Sequence, residues 1–96
     1  MSKLYKFYSD DGHGWLAVKR QDLIELDIES SITAWSYESR SGHTVYLEED
    51  CDMSLFFKVY EAKHGTKPQL MISNIDGRSS IRSYPAFKSV TKKALT

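Results

Sequence analysis

The residues of this sequence with the clearest capacity for chemistry form an acidic run at positions 48–52. Its four carboxylates belong to Glu48, Glu49, Asp50 and Asp52. Clustered carboxylates bind hard cations, accept hydrogen bonds from the first amides of a helix, or attract a basic partner. The run lacks the twelve-residue loop spacing of a calcium-binding hand. The spacing therefore favours helix capping, and a cation site and an acidic surface for a basic partner remain the alternatives; no metal ligand or cofactor is assigned.

A turn at residues 10–14 holds a histidine between two glycines. A glycine-rich phosphate loop leads into a helix, whereas this turn leads into a strand-like segment, so phosphate binding is not favoured. The turn instead exposes His13 at its tip. A small enzyme would need His13 within hydrogen-bond reach of Asp10, Glu48 or Asp50 to use them as an acid–base pair.

Charge is segregated along the chain although the formal net charge is zero. Twelve of the thirteen acids lie in residues 1–61, whereas seven of the thirteen bases lie in residues 62–96. The two segments are expected either to attract each other, with Arg82 near the acidic run, or to leave a basic surface for nucleic acid. Bases interleaved with aromatic rings are typical of single-strand binding, and the candidates are Arg78, Arg82, Tyr84, Lys88, Lys92 and Lys93.

Two β-hairpins are predicted to position these side chains. Residues 4–8 and 15–18 flank the histidine turn, and residues 32–38 and 43–48 alternate in polarity around a second turn. The acidic run follows directly after the second hairpin. We therefore expect the histidine turn and the acidic run to lie at strand ends.

Two helices are predicted as well. The first is a short amphipathic helix over 20–26, after which Asp27 takes the left-handed conformation and lets Ile28 fold back on Leu23. The second and longer helix covers about residues 52–64, with Asp50 or Asp52 as its N-terminal cap. Acids at its start and bases in its last turn agree with the helix dipole.

The remaining segments complete a small α+β domain. Residues 69–75 are predicted as a strand and residues 80–84 as a last strand. The fold class is thus α+β, an antiparallel sheet of four to six strands built from two hairpins and a C-terminal strand or hairpin, with two helices. Residues 1–87 form the compact domain, residues 88–96 a frayed polar tail, and the leading core candidates are Trp15, Trp35, Phe56 and Val59.

Composition agrees with a protein that folds in the cytoplasm. No stretch approaches the roughly 18 apolar residues of a membrane span, and the N-terminus lacks the apolar core of a secretory signal. The single cysteine, Cys51, forms no internal disulfide, so the fold needs no oxidising compartment. The oligomeric state does not follow from the sequence.

Three segments resemble a family of short phage, prophage and plasmid proteins. They are Tyr8–Leu16 with the letters GHGWL, Thr44–Asp52 with YLEEDCD, and Gly77–Tyr84 with IRSY. The resemblance implies a mobile-element origin and a place in the host cytoplasm. It brings no activity with it.

The favoured function at this point is a non-catalytic protein-binding module that acts on a host or defence protein. The absence of a catalytic constellation, the small size and the divided charge support it, and the candidate contact residues are Asp10, His13, Glu48, Glu49, Asp50 and Asp52. Nucleic-acid binding through the basic C-terminal segment is the alternative. A small enzyme that uses His13 and a carboxylate is the third hypothesis.

Overall fold

A computed structural model describes residues 4–75 and 77–91 of the chain. In chain order the helices and strands are β1 (Leu4–Ser9), β2 (Gly14–Lys19), α1 (Arg20–Glu25), β3 (Tyr37–Glu38), β4 (Thr44–Glu48), α2 (Asp52–His64) and β5 (Gln69–Asn74). Two short 3₁₀ helices, Glu29–Ser31 and Ser80–Ser83, lie outside the sheet.

The five strands form one mixed sheet in the order β3-β4-β2-β1-β5. The predicted α+β class, the first hairpin and the long helix are confirmed. The expected antiparallel sheet is wrong in one respect, because β5 runs parallel to β1. After β4, helix α2 returns the chain to the end of the sheet at which β4 began. Strand β5 therefore runs in the same direction as β4, and this is also the direction of β1. Such a crossover is what parallel strands require.

Both helices end as the sequence predicts. Asp27 has a φ of 60°, in the left-handed region. The amide of Ile28 donates to the Leu23 carbonyl at 3.0 Å, and the amide of Asp27 donates to the Ile24 carbonyl at 3.0 Å, which together make a Schellman ending. Helix α2 ends at Gly65, whose φ of 74° suits glycine.

The hydrophobic core lies between helix α2 and one face of the sheet, here called the inner face. Phe56 of α2 is fully buried, and its ring centroid lies 5.2 Å from that of Tyr5 on β1. Side chains alternate across a strand, so Trp15 points to the opposite, outer face. The predictions that Phe56 and Trp15 are buried are confirmed, although Trp15 is buried outside this main core, and Val59 packs on the core only partly buried.

The predicted strand over 32–38 is wrong except for its last two residues. Its first part is a loop, because hydrogen bonds to a side chain replace the strand ladder there. The amide and hydroxyl of Thr33 and the hydroxyl of Ser36 all donate to the buried carboxylate of Asp52. Trp35, predicted to be in the core, is consequently 76% exposed at the tip of this loop.

The predicted last strand over 80–84 is also wrong, since this segment forms a 3₁₀ helix capped by the Ser79 hydroxyl. The chain then passes β3, where Ala86 makes a single antiparallel bridge with Tyr37. Phe87 returns to the inner face and is buried in the core. The C-terminal segment therefore closes the β3 edge of the sheet instead of adding a strand.

The domain boundary after residue 87 does not mark the end of the hydrogen-bonded structure. Arg20 is buried and pairs with the carboxylates of Glu29 and Glu38, and it also donates to the Lys88 carbonyl at 3.0 Å. Glu29 in turn accepts hydrogen bonds from residues 89–91. Residues 88–91 are thus fastened to the domain, and residues 92–96 of the predicted tail lie outside the described residues.

The hydrogen bonds to Glu29 also set its acidity. Burial alone would raise the pKa of its carboxyl, but the hydroxyls of Ser89 and Thr91 and the amides of Val90 and Thr91 outweigh it and lower the pKa to about 2. The carboxylate therefore stays charged in the fold at any pH near neutrality. Glu29 is thus the buried hydrogen-bond acceptor that holds residues 89–91 against the domain.

Candidate functional site

An open cleft of about 320 Å³ lies where β2 begins and β4 ends. Trp15 and Glu48 are paired in register on these two strands, so their side chains share the outer face of the sheet. The cleft is lined by His13, Trp15, Trp35, Tyr37, Glu48, Asp50, Cys51 and Arg82. It thus joins four aromatic rings, two carboxylates and one guanidinium.

The floor of the cleft is the ring of Trp15, which is only 2% exposed. His13 stacks on it with the ring centroids 5.9 Å apart and the planes 12° from parallel. Tyr37 contacts it edge to face at 6.1 Å, and the guanidinium carbon of Arg82 lies 5.6 Å from the ring centroid. Stacked and cation–π contacts of this kind hold the floor rigid.

Asp10, predicted as a contact residue, is instead the hydrogen-bonding hub beneath the cleft. Its side chain is inaccessible to solvent, and it accepts two hydrogen bonds from the guanidinium of Arg82, at 2.7 and 2.8 Å. It also accepts from the amides of Gly12, His13 and Ser79. The Arg82 hydrogen bonds, followed by these amides, hold the pKa of Asp10 far below its ordinary value.

This hub explains the histidine turn and its glycines. Asp10 closes the turn by accepting the Gly12 and His13 amides, as aspartate does in many turns. Gly14 is needed for space, since a Cβ atom there would lie 2.4 Å from the Phe7 ring.

His13 lies in the cleft with Glu48 and Asp50, but the contact of its ring is with Arg82. Arginine can only donate, so its Nη2 donates to Nδ1 of His13 at 3.1 Å, and the proton of the neutral ring is on Nε2. In the described part of the chain no carboxylate is hydrogen bonded to this ring. Asp10, the nearest candidate in sequence, is occupied by Arg82. The geometry gives the acid–base hypothesis no pair of groups.

The acidic run divides into buried and exposed members. Asp52 is 2% exposed and holds the loop that carries Trp35, so it is removed from the predicted contact surface. Glu48 is half-buried and accepts the amide of Cys51 at 2.8 Å. Glu49 and Asp50 are exposed, and the structure shows no hydrogen bond to either carboxylate from a described residue. Only these two keep their full charge available to a partner.

The predicted capping of helix α2 by Asp50 or Asp52 is wrong. The N-terminal cap is Cys51, which makes no side-chain capping hydrogen bond. Asp52 is the first helical residue and turns its carboxylate toward Thr33 and Ser36 instead. The favourable effect of Asp52 on the helix dipole remains, because its charge still lies in the first turn.

The nucleic-acid candidates do not form one free surface. Arg82 is paired with Asp10, which confirms that the acidic and basic halves of the chain meet, although at Asp10 and not at Glu48 or Glu49. The ring of Tyr84 packs on that of Tyr46 with the centroids 5.3 Å apart. Arg78 and Lys88 are exposed. Lys92 and Lys93 lie outside the described residues.

Within residues 4–75 and 77–91, no group of three or more histidine, cysteine, aspartate or glutamate side chains is arranged to hold a metal ion. No helix in the same ranges is long and apolar enough to cross a membrane. Comparison with protein-family models, with curated proteins and with solved structures finds no match to this chain. The fold and the cleft thus define a small α+β domain with an aromatic, partly acidic cleft on its outer face.

Sequence reasoning missed four of the eight residues that line the cleft, namely Trp15, Trp35, Tyr37 and Cys51. A strand over 32–38 would put Trp35 and Tyr37 on one face, and this expectation hides the exposure of Trp35. The available signal was the small polar residues around Trp35, namely Thr33 and Ser36, which favour side-chain hydrogen bonds over a strand ladder. The contact of Arg82 with Trp15, 67 positions away in sequence, had no such signal.

Proposed function

We propose that this chain is a non-catalytic protein-binding module whose contact surface is the aromatic cleft. The observation that carries the proposal is the position of Trp35, which is 76% exposed beside a rigid aromatic floor and two carboxylates. Tryptophan, tyrosine and arginine are the residues that dominate binding energy at protein interfaces. The exposed ring of Trp35 adds little buried apolar area to the fold, so its position is better explained by binding than by stability.

The chemistry of the cleft favours a partner that presents a basic side chain. Arg82 does not make the cleft cationic, because its charge is matched by Asp10. The uncompensated charges are those of Asp50, which lines the cleft, and of Glu49 beside it, while the half-buried Glu48 adds a third carboxylate that already accepts the Cys51 amide. A lysine or arginine side chain would lie against Trp35 or Tyr37 and reach these carboxylates, which combines a cation–π contact with charge attraction.

The wider setting follows from the resemblance described above. A mobile-element protein with such a surface would act on a host or defence protein in the host cytoplasm. Nucleic acid as the partner is less well supported, because Arg82 and Tyr84 are engaged within the fold. The cleft itself presents carboxylates, which repel phosphates.

The test is selection of a displayed random peptide library on the intact chain. We expect enrichment of peptides that carry lysine or arginine next to an aromatic residue, bound in the micromolar range. Trp35→Ala and Asp50→Asn should abolish the enrichment, because each removes one half of the recognition. Val90→Ala and Glu25→Gln, matched changes of an exposed apolar and an exposed acidic residue outside the cleft, should retain it.

Three results would contradict the proposal. No enrichment at all would mean that the cleft does not bind peptides. Enrichment of acidic peptides would reverse the charge argument. Binding to single-stranded DNA or RNA whose affinity falls steeply with salt, and which Arg78→Gln weakens, would put nucleic acid in place of protein as the partner.

A further inference from the structure

The two edges of the sheet are protected very differently. The β3 edge has two strand residues and is covered by the chain itself, through the bridge from Ala86 and a hydrogen bond from the Glu38 amide to the Pro85 carbonyl at 2.9 Å. The β5 edge has six strand residues and ends the sheet. In the described part of the chain no further strand lies beyond it, so every second backbone N–H and C=O of β5 points outward without a strand partner.

Strand β5 also lacks the features by which proteins normally protect an edge. Such features are charged residues, proline, a bulge or a very short strand. Residues 69–75 contain no lysine, arginine, aspartate, glutamate or proline. The register with β1 runs without interruption from Gln69 to Asn74, so no bulge twists the edge away. The edge is therefore open, regular and uncharged.

Exposed apolar side chains are concentrated at the same edge. The described residues include six large hydrophobic side chains that are exposed; three of them, Met71, Ile72 and Ile75, lie on β5 or directly after it, and a fourth, Leu4, lies on the neighbouring strand β1. Ile72 is 64% exposed and pairs with Phe7 on the inner face, whereas Met71 is 49% exposed and pairs with Lys6 on the outer face. A strand added at this edge would cover apolar surface on both faces at once.

We infer that the β5 edge binds the β5 edge of a second copy of this chain, in antiparallel orientation about a two-fold axis. The unpaired backbone groups require an extended strand as the occupant. Because residues 69–75 carry no charge, two identical strands face each other without like-charge repulsion. A partner that binds through charge has no charged side chain to contact along residues 69–75.

Self-pairing also gives a favourable register. With the two-fold axis at Met71, the two Met71 side chains lie opposite each other on the outer face. Leu70 then lies opposite Ile72 of the second copy on the inner face, so that every central cross-strand pair is apolar. Such an interface is isologous, since the same strand serves both subunits, and it closes as a dimer.

The dimer is expected to be weak and dependent on concentration. Stable interfaces bury about 1,200–2,000 Å² in total, and a pairing of two six-residue strands falls short of that range. The protein should therefore be monomeric when dilute and dimeric at high concentration. This inference is independent of the cleft, which lies at the β2 and β4 strand ends.

The test is sedimentation equilibrium of the intact chain over the micromolar to millimolar range. The mean mass should rise from one copy toward two copies. Ile72→Lys should keep the chain monomeric throughout, because it sets a charge on each strand of the pair. Val90→Lys makes the same kind of change at a side chain that is 69% exposed elsewhere, and it should dimerise as the unaltered chain does.

A second measurement tests the geometry and does not depend on a lysine variant. In a Cys51→Ser background, which removes the exposed thiol, Met71→Cys should form an intermolecular disulfide on mild oxidation. Val90→Cys in the same background should not. A chain that stays monomeric at every concentration, a dimer that Ile72→Lys leaves intact, or cross-linking at 90 in preference to 71 would each overturn the inference.

Discussion

Asp50 and Asp52 lie two positions apart in one acidic run, yet only the replacement of Asp52 with alanine should lower the stability of the fold. The Asp52 carboxylate is buried and accepts from the Thr33 amide, the Thr33 hydroxyl and the Ser36 hydroxyl. Its removal leaves the hydroxyl of the fully buried Ser36 without its acceptor, and an unsatisfied buried donor costs about 1–3 kcal/mol. With the lost hydrogen bonds to a charged group, Asp52→Ala should lower the free energy of unfolding by about 2–4 kcal/mol.

Asp50→Ala is the matched control for this change. Its carboxylate is exposed, and its contribution to stability is expected to be within about 0.5 kcal/mol. Both residues lie beside the start of helix α2, so any effect on the helix dipole is similar in the two variants and cancels in the comparison. Urea denaturation followed by circular dichroism measures the two midpoints directly.

Peptide binding should respond to these two changes differently from stability. Asp52→Ala should also weaken peptide binding, because the loop that presents Trp35 loses its fastening, whereas Asp50→Ala should weaken binding at unchanged stability. Asp52→Asn keeps the shape and one acceptor oxygen, so its unfolding midpoint should lie between those of Asp52→Ala and the unaltered chain. Equal midpoints for Asp50→Ala and Asp52→Ala would refute the assignment of Asp52 as a structural hub.

Three further changes test the fold. The folded Glu29 carboxyl has a pKa of about 2, against 4.5 in a free side chain. Its contribution to the free energy of unfolding is therefore complete above pH 4.5 and is lost as the pH falls toward 2. In an acid titration, the stability of Glu29→Gln should fall less steeply over this range than that of the unaltered chain. Gly14→Ala should lower the free energy of unfolding by about 1–3 kcal/mol, because the added Cβ atom collides with the Phe7 ring. An unchanged melting temperature would show that this site has room for a Cβ atom. Asp27→Gly should raise the unfolding free energy by about 0.5–1 kcal/mol since it relieves the positive φ, whereas Asp27→Ala should not.

The elements that could be predicted are those whose signals are local. The end of helix α1 needs only Asp27, Ile28 and Leu23, which are close in sequence, and helix α2 shows its start, its apolar spacing and its terminal glycine directly. The loop over 32–36 could not be predicted in the same way. Its conformation depends on Asp52, which is distant in sequence and binds it through hydrogen bonds that no alternation of polarity reveals.

Residues of the candidate site could likewise be predicted where their signals are local in the sequence. Glu48 and His13 were found because their types and neighbours mark them in the sequence, and both do line the cleft. Asp10 looked equally available in the sequence but is buried by Arg82, a contact made only when the C-terminal segment crosses the sheet. The parallel placement of β5 is likewise a consequence of the crossover, since its sequence alone suits either direction.

The divided charge of the sequence now has a structural interpretation. Arg20 pairs with Glu29 and Glu38 inside the first half of the chain, and among the ion pairs of the described residues Arg82 with Asp10 is the one that joins the two halves. Among the exposed acids, Asp50 lines the cleft and Glu49 lies beside it, whereas the exposed bases Arg78 and Lys88 do not line it. The cleft is therefore negative although the whole chain is neutral. A cationic partner would be attracted to it over about 8 Å at physiological salt, and its association rate should fall as salt is added.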